Sequence, residues 1–75
     1  MAYSTNSLRQ LRFTIGQNIH ILRLRKKMTL QKLSKISGIS ENLLDQYELG
    51  KNEISLYELL KISYALKSEI KKIIE

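Results

Sequence analysis

The side chains with most chemistry to offer in this chain of 75 residues are its 13 lysines and arginines, set against seven carboxylates. Their placement is uneven. Residues 1–38 carry eight basic groups, from Arg9 and Arg12 through Arg23 to Lys32 and Lys35, and no carboxylate; residues 39–75 carry five basic groups and all seven acids. A net charge of +6 with this asymmetry suits a polyanionic partner, because each phosphate neutralised releases condensed counterions. A merely solvated basic surface is the alternative. Catalysis has little to work with. There is one histidine, His20, and no cysteine, so disulfides, thiolate metal sites and a thiol nucleophile are excluded. No spacing pairs a nucleophile with a base. The expectation is a binding protein that is not an enzyme and needs no metal or other cofactor.

The elements that position these groups centre on Met28–Gly50. Thr29 and Ser40 each offer a side-chain oxygen to the unpaired N–H groups of a helix start, which predicts two short helices at 29–37 and 40–49. Gly38 falls where the first must end in a left-handed residue, a conformation glycine adopts without a Cβ clash. Met28, Leu33, Ile36, Ile39, Leu44 and Tyr47 are expected to face one core. Two short helices joined through a glycine-containing turn describe a helix-turn-helix.

The flanks read as further helices. Residues 1–6 are polar and expected to fray. Ser7 can cap a first helix whose stripe is Leu8, Leu11, Ile15, Ile19 and Leu22, running to about Lys27, where Arg25, Lys26 and Lys27 suit the negative dipole end. Gly16 interrupts it and predicts a kink or break near Thr14–Gly16. Gly50–Ile54 forms a loop. Ser55, with Glu58 as capping-box partner, starts a helix at 56–66, and a last one covers about 69–75. There is no proline and no strand-like alternation. The fold class is therefore all-α, a bundle of about five helices in one domain. Chains of this size bury only about 60% of their surface. No apolar run approaches the ~18 residues that span a bilayer, and the N-terminus lacks a signal-peptide core. No membrane association is expected, and the expected location is cytoplasmic.

A family resemblance rests on these residues and on their neighbours. Ile15-Gly16-Gln17-Asn18-Ile19, Leu22-Arg23, the stretch 28–50, Ser55-Leu56, Leu59-Leu60-Lys61-Ile62 and Ala65-Leu66 together resemble the lambda-repressor-like (Cro/cI, XRE-type) helix-turn-helix family. The likeness covers roughly residues 15–70. Residues 1–14 read as an N-terminal arm or an extension of helix 1, and 15–75 as the DNA-binding domain with a C-terminal dimerisation helix. The resemblance implies a regulator, of small repressor or controller type, whose second motif helix lies in the major groove of double-stranded DNA. By position Glu41, Asn42 and Gln46 match the base-facing sites. Asn and Gln can bond adenine in a bidentate way, and Glu can accept from cytosine N4. Phosphate contacts are expected from Thr29 and Ser40 at the helix starts, from Lys32, and from Lys51 and Asn52 in the following loop. The resemblance also implies a structural pair between Arg23 and Glu48.

Two features bear on this reading, beside the departure at Ser34, a position where the family often has Ala. Leu30 stands where a backbone-contacting Gln is common, and residues 41–48 carry Glu41, Asp45 and Glu48 but no base. Both favour the alternative of a protein-interaction module, such as an antitoxin-like partner of a toxin, with weak or no DNA binding. Regulators of this type act as two-fold dimers on half-sites one DNA turn apart, which implies a pseudo-palindromic operator. The apolar excess of 56–64 and of Ile70, Ile73 and Ile74 predicts an isologous homodimer contact there.

Overall fold

The computed structural model describes residues 5–75; the polar start assigned to fraying lies partly outside the described residues, at 1–4. Five helices follow in order: α1 Thr5–Arg25, α2 Leu30–Ser37, α3 Glu41–Glu48, α4 Leu56–Leu66 and α5 Ile70–Ile74. No strand occurs among the described residues.

Local chemistry sets most of the boundaries. Thr29 accepts the Lys32 N–H, Ser40 that of Leu43 and Ser55 that of Glu58, so each of α2, α3 and α4 has a side-chain N-cap. Gly38 ends α2 at φ 76°, its N–H returning to the Ser34 carbonyl. Nothing lies within 4 Å of where a Cβ would sit there, so the left-handed backbone rather than crowding selects glycine. Glu58 departs from a simple capping box: its Oε1 takes the Ser55 hydroxyl at 3.1 Å and the Tyr47 hydroxyl at 2.7 Å.

The first helix differs from expectation in three ways. It is continuous through Gly16, with no break at 14–16, and it begins before Ser7, which is therefore not its cap. It stops at Arg25, because Lys27 turns left-handed at φ 55°. The physical reason for Gly16 is tertiary. A Cβ there would stand 2.2 Å from the Tyr47 carbonyl oxygen and 2.8 Å from that of Glu48. The glycine lets α1 touch the backbone of α3.

The core holds Ile19 of α1, Leu33 of α2, Ile39 in the turn, Leu44 and Tyr47 of α3, Leu59, Ile62, Ala65 and Leu66 of α4, and Ile73 of α5. Ile36, expected among them, is about half exposed. Burial, the hydrogen bond to Glu58 and that carboxylate's charge push the Tyr47 phenol up to about 12. Ile73 corrects the dimer expectation: it is fully buried in the chain's own core, and its carbonyl accepts the Asn18 side-chain N–H at 2.8 Å. Ile70 packs partly buried against that core, and only Ile74 is exposed. A helix this short must turn one face inward to close the bundle over α1 and α4, so α5 has little left to offer a second chain.

Candidate nucleic-acid interface

An α-helix advances about 100° per residue, so two residues apart means nearly opposite faces. In α3, Leu44 and Glu48 are buried, at 0% and 6% exposure. Asn42 and Gln46, each two positions away, must then project outward. Asn42 and Glu41 are exposed, and Gln46 is half-exposed. The three base-facing candidates therefore share the solvent side of α3.

What fixes this rotation is a buried ion pair. Arg23 Nε donates to Glu48 Oε2 at 2.7 Å and its terminal nitrogen to Oε1 at 3.0 Å. The other terminal nitrogen reaches the Met28 carbonyl at 2.8 Å. One guanidinium thus joins α1, the turn before α2 and the end of α3. The Arg23–Glu48 pairing implied by the resemblance is present as a two-pronged contact, with Arg23 itself buried. His20, which the sequence gave no part, also meets this pair: its Nδ1 lies 2.7 Å from Glu48 Oε1 and 3.3 Å from a terminal nitrogen of Arg23. His20 and Arg23 are three residues apart on one helix face, a spacing that could have signalled it.

Gln46 has a second partner that the sequence did not suggest. The Asn52 side-chain amide N–H donates to Gln46 Oε1, and the Lys51 N–H returns to the Gln46 carbonyl at 2.9 Å. Asn52, assigned above to phosphate, gives one of its two amide N–H groups to Gln46, because the loop folds back over the last turn of α3. The bond leaves the Gln46 NH₂ free to project outward. Lys51, Lys32 and Lys35 are exposed. Thr29 and Ser40 keep their oxygens on their own helices, while first-turn N–H groups of α2 and α3 point out of the helix ends. Leu30 packs against the core, which gives it a structural reason for being apolar. Among the described residues there is no His/Cys/Asp/Glu cluster able to hold a metal, and no helix is long and apolar enough to cross a membrane.

A turn anchored by the buried Ile39 between two capped helices, and a polar helix face held outward by a buried salt bridge, define a helix-turn-helix domain. A helix-turn-helix family model matches residues 19–73, and the chain belongs to that family, in its lambda-repressor-like (XRE) branch. It is 38% identical over 56 residues to an HTH-type transcriptional regulator of Rickettsia prowazekii, a match covering 75% of this chain and 43% of the relative. The chain thus spans less than half the length of that relative. Two solved structures are similar, each at 28% identity. The restriction–modification controller protein C.AhdI from Aeromonas hydrophila superposes at a TM-score of 0.79, with 81% of this chain and 92% of that one covered. The clp gene regulator ClgR from C. glutamicum does so at 0.81, with 84% and 82% covered.

Proposed function

We propose that this chain is a sequence-specific, double-stranded DNA-binding transcription regulator that reads the major groove with α3. One observation carries the reading: Asn42 and Gln46 stand on the face of α3 opposite the buried Leu44 and Glu48. The helix that bears them is eight residues long, and a helix about 10–12 Å across with its side chains suits a groove about 12 Å wide. Glu41 at the helix start accepts from cytosine N4 or repels other partners. Thr29, Ser40, Lys32 and Lys51 hold phosphates. Its work is binding rather than catalysis, in the cytoplasm.

Replacing Gln46 by Ala should weaken the preferred duplex by about 1–3 kcal/mol and spare random duplex. Selection of bound fragments from random duplex DNA, followed by anisotropy titrations on the winner and on a scrambled duplex, checks this. Equal losses on both would remove base readout by Gln46, and an absence of any salt-dependent binding by the parent chain would remove the function.

The operator-bound species is a homodimer joined through α4. Of the surface assigned to dimerisation, the 56–64 part is open: Tyr57 and Tyr64 are 69% and 87% exposed. With Leu60 and Ile36 they line a shallow depression of about 320 Å³ between α2 and α4. The Lys61 ammonium lies 4.7 Å from the Tyr57 ring centre. Exposed aromatic groups clustered in this way mark contact surfaces. Tyr64→Glu should shift the chain to monomer in sedimentation and lower operator affinity at least about tenfold, since two half-sites are then no longer linked. A parent chain that stays monomeric at high micromolar concentration would instead give this face to a different protein.

A further inference from the structure

The first ten described residues of α1, 5–14, lie outside the segment matched by the family model, which begins at residue 19. They nevertheless pack onto the site. Arg12 Nε donates to the Gly50 carbonyl at 3.1 Å. The Phe13 Cα would stand only 3.0 Å from a Cβ on Gly50, so the helix rests on the loop that follows α3. Beside this contact opens a cleft of about 530 Å³, lined by Arg9, Gln10, Arg12, Phe13, Thr14 and Gly50. Arg9 is exposed, and so is Lys51, the residue after Gly50. Among the described residues no carboxylate stands within ion-pair distance of Arg9 or Arg12; Glu53 is the acidic group that shares a depression with Arg12.

The placement matters because of the size of the groove. A major groove about 12 Å wide admits a helix about 10–12 Å across and leaves a phosphate ridge on either side of it. The capped start of α3 stands at one end of it, and Arg23 ties the entry to α2 to Glu48 in its last turn. The other end is Leu49–Gly50, where the Arg9–Arg12 cleft opens. We propose that the N-terminal extension of α1, through Arg9 and Arg12 together with Lys51, is a second phosphate-binding surface that grips the DNA backbone beyond the C-terminal end of α3. This rests on the DNA-reading assignment of α3 and extends the footprint beyond the family's own domain. The contact carries no base information, so it raises affinity on every sequence and makes binding more salt-sensitive.

The test uses the full chain and two charge reversals. Arg9→Glu lies on an exposed helix face, and an unchanged circular dichroism spectrum and melting curve would show that it folds. Lys72→Glu, on α5 packed against α1 and α4, makes the same change in net charge elsewhere. Arg9→Glu should weaken preferred and random duplex alike, by roughly tenfold, and lower the slope of log affinity against log salt by about one unit; Lys72→Glu should do markedly less. If the parent binds DNA and Arg9→Glu binds with the same affinity and slope, the surface is disproved while α3 keeps its role. Equal losses in both variants would reduce the effect to net charge and also overturn it. A parent that binds no duplex overturns both assignments, and Gln46→Ala separates them, since it alone should change the ratio between the two duplexes.

Discussion

Replacing Gly16 by alanine should destabilise the domain by about 2–4 kcal/mol, although alanine is the better helix former. The two effects have opposite signs. Intrinsic propensity in a helix interior favours alanine by about 1 kcal/mol, and Gly16 sits inside the continuous α1. Against this stands a Cβ placed 2.2 Å from one backbone carbonyl oxygen and 2.8 Å from the next. Neither oxygen can swing away as a side chain would, because both belong to the last turn of α3, next to the buried Leu44, Tyr47 and Glu48. Relief requires α1 and α3 to separate, which opens the core around Ile19 and lengthens the Arg23–Glu48 bonds. Overpacking of this kind costs about 1–3 kcal/mol and occasionally more, and the loss of contacts adds to it. A domain of this size has a total stability of only about 4–11 kcal/mol. Thermal melting should therefore fall by at least about 10 °C. An unchanged or raised melting temperature would show that α1 and α3 are not in backbone contact at this position.

Gly16 also shows where the sequence was legible and where it was not. The caps at Thr29, Ser40 and Ser55, the left-handed Gly38 and the ranges of α2 to α4 follow from local hydrogen bonding, which residue types announce directly. The meaning of Gly16 depends on a residue more than thirty positions away, and local reasoning turned it into a kink. Apolar residues were similarly ambiguous. Ile36 and Ile73 look alike in a helical stripe, yet one is exposed and the other fully buried, because the packing of α2 on α3 and α4 and of α5 on α1 and α4 decides which face of each is covered. In the candidate site, the outward face of α3 was readable from its periodicity and its resemblance. The partners of that face were not: Asn52 on Gln46 and Arg12 on Gly50 are contacts with a loop that carries no periodic signal, and His20 on Glu48 left only the spacing of His20 from Arg23 as a trace.

Removing the Glu48 carboxylate should be the most damaging single change to the site's support. Glu48→Ala leaves the Arg23 guanidinium buried and without a carboxylate, with the Met28 carbonyl and the neutral His20 ring nitrogen as the remaining protein groups in reach. An uncompensated buried charge of this kind costs about 3–5 kcal/mol, enough to unfold much of the population at 37 °C in a small domain. The loss is a penalty of breaking the pair, and it does not measure what the pair contributes over an apolar one. The double variant Arg23→Met, Glu48→Leu should therefore recover most of the lost melting temperature. Affinity and specificity should then part company. The apolar pair can fill the space but cannot fix the rotation of α3 through three directed hydrogen bonds, so Asn42 and Gln46 should sample a wider arc over the bases. In the double variant the preference for the selected duplex over a scrambled one should shrink, while binding to random duplex, governed by the exposed lysines, should persist with its salt slope intact. A single Glu48→Ala variant that melts like the parent would show that the charge is not buried as placed here. A double variant with full discrimination would show that packing alone, without the salt bridge, orients the reading helix.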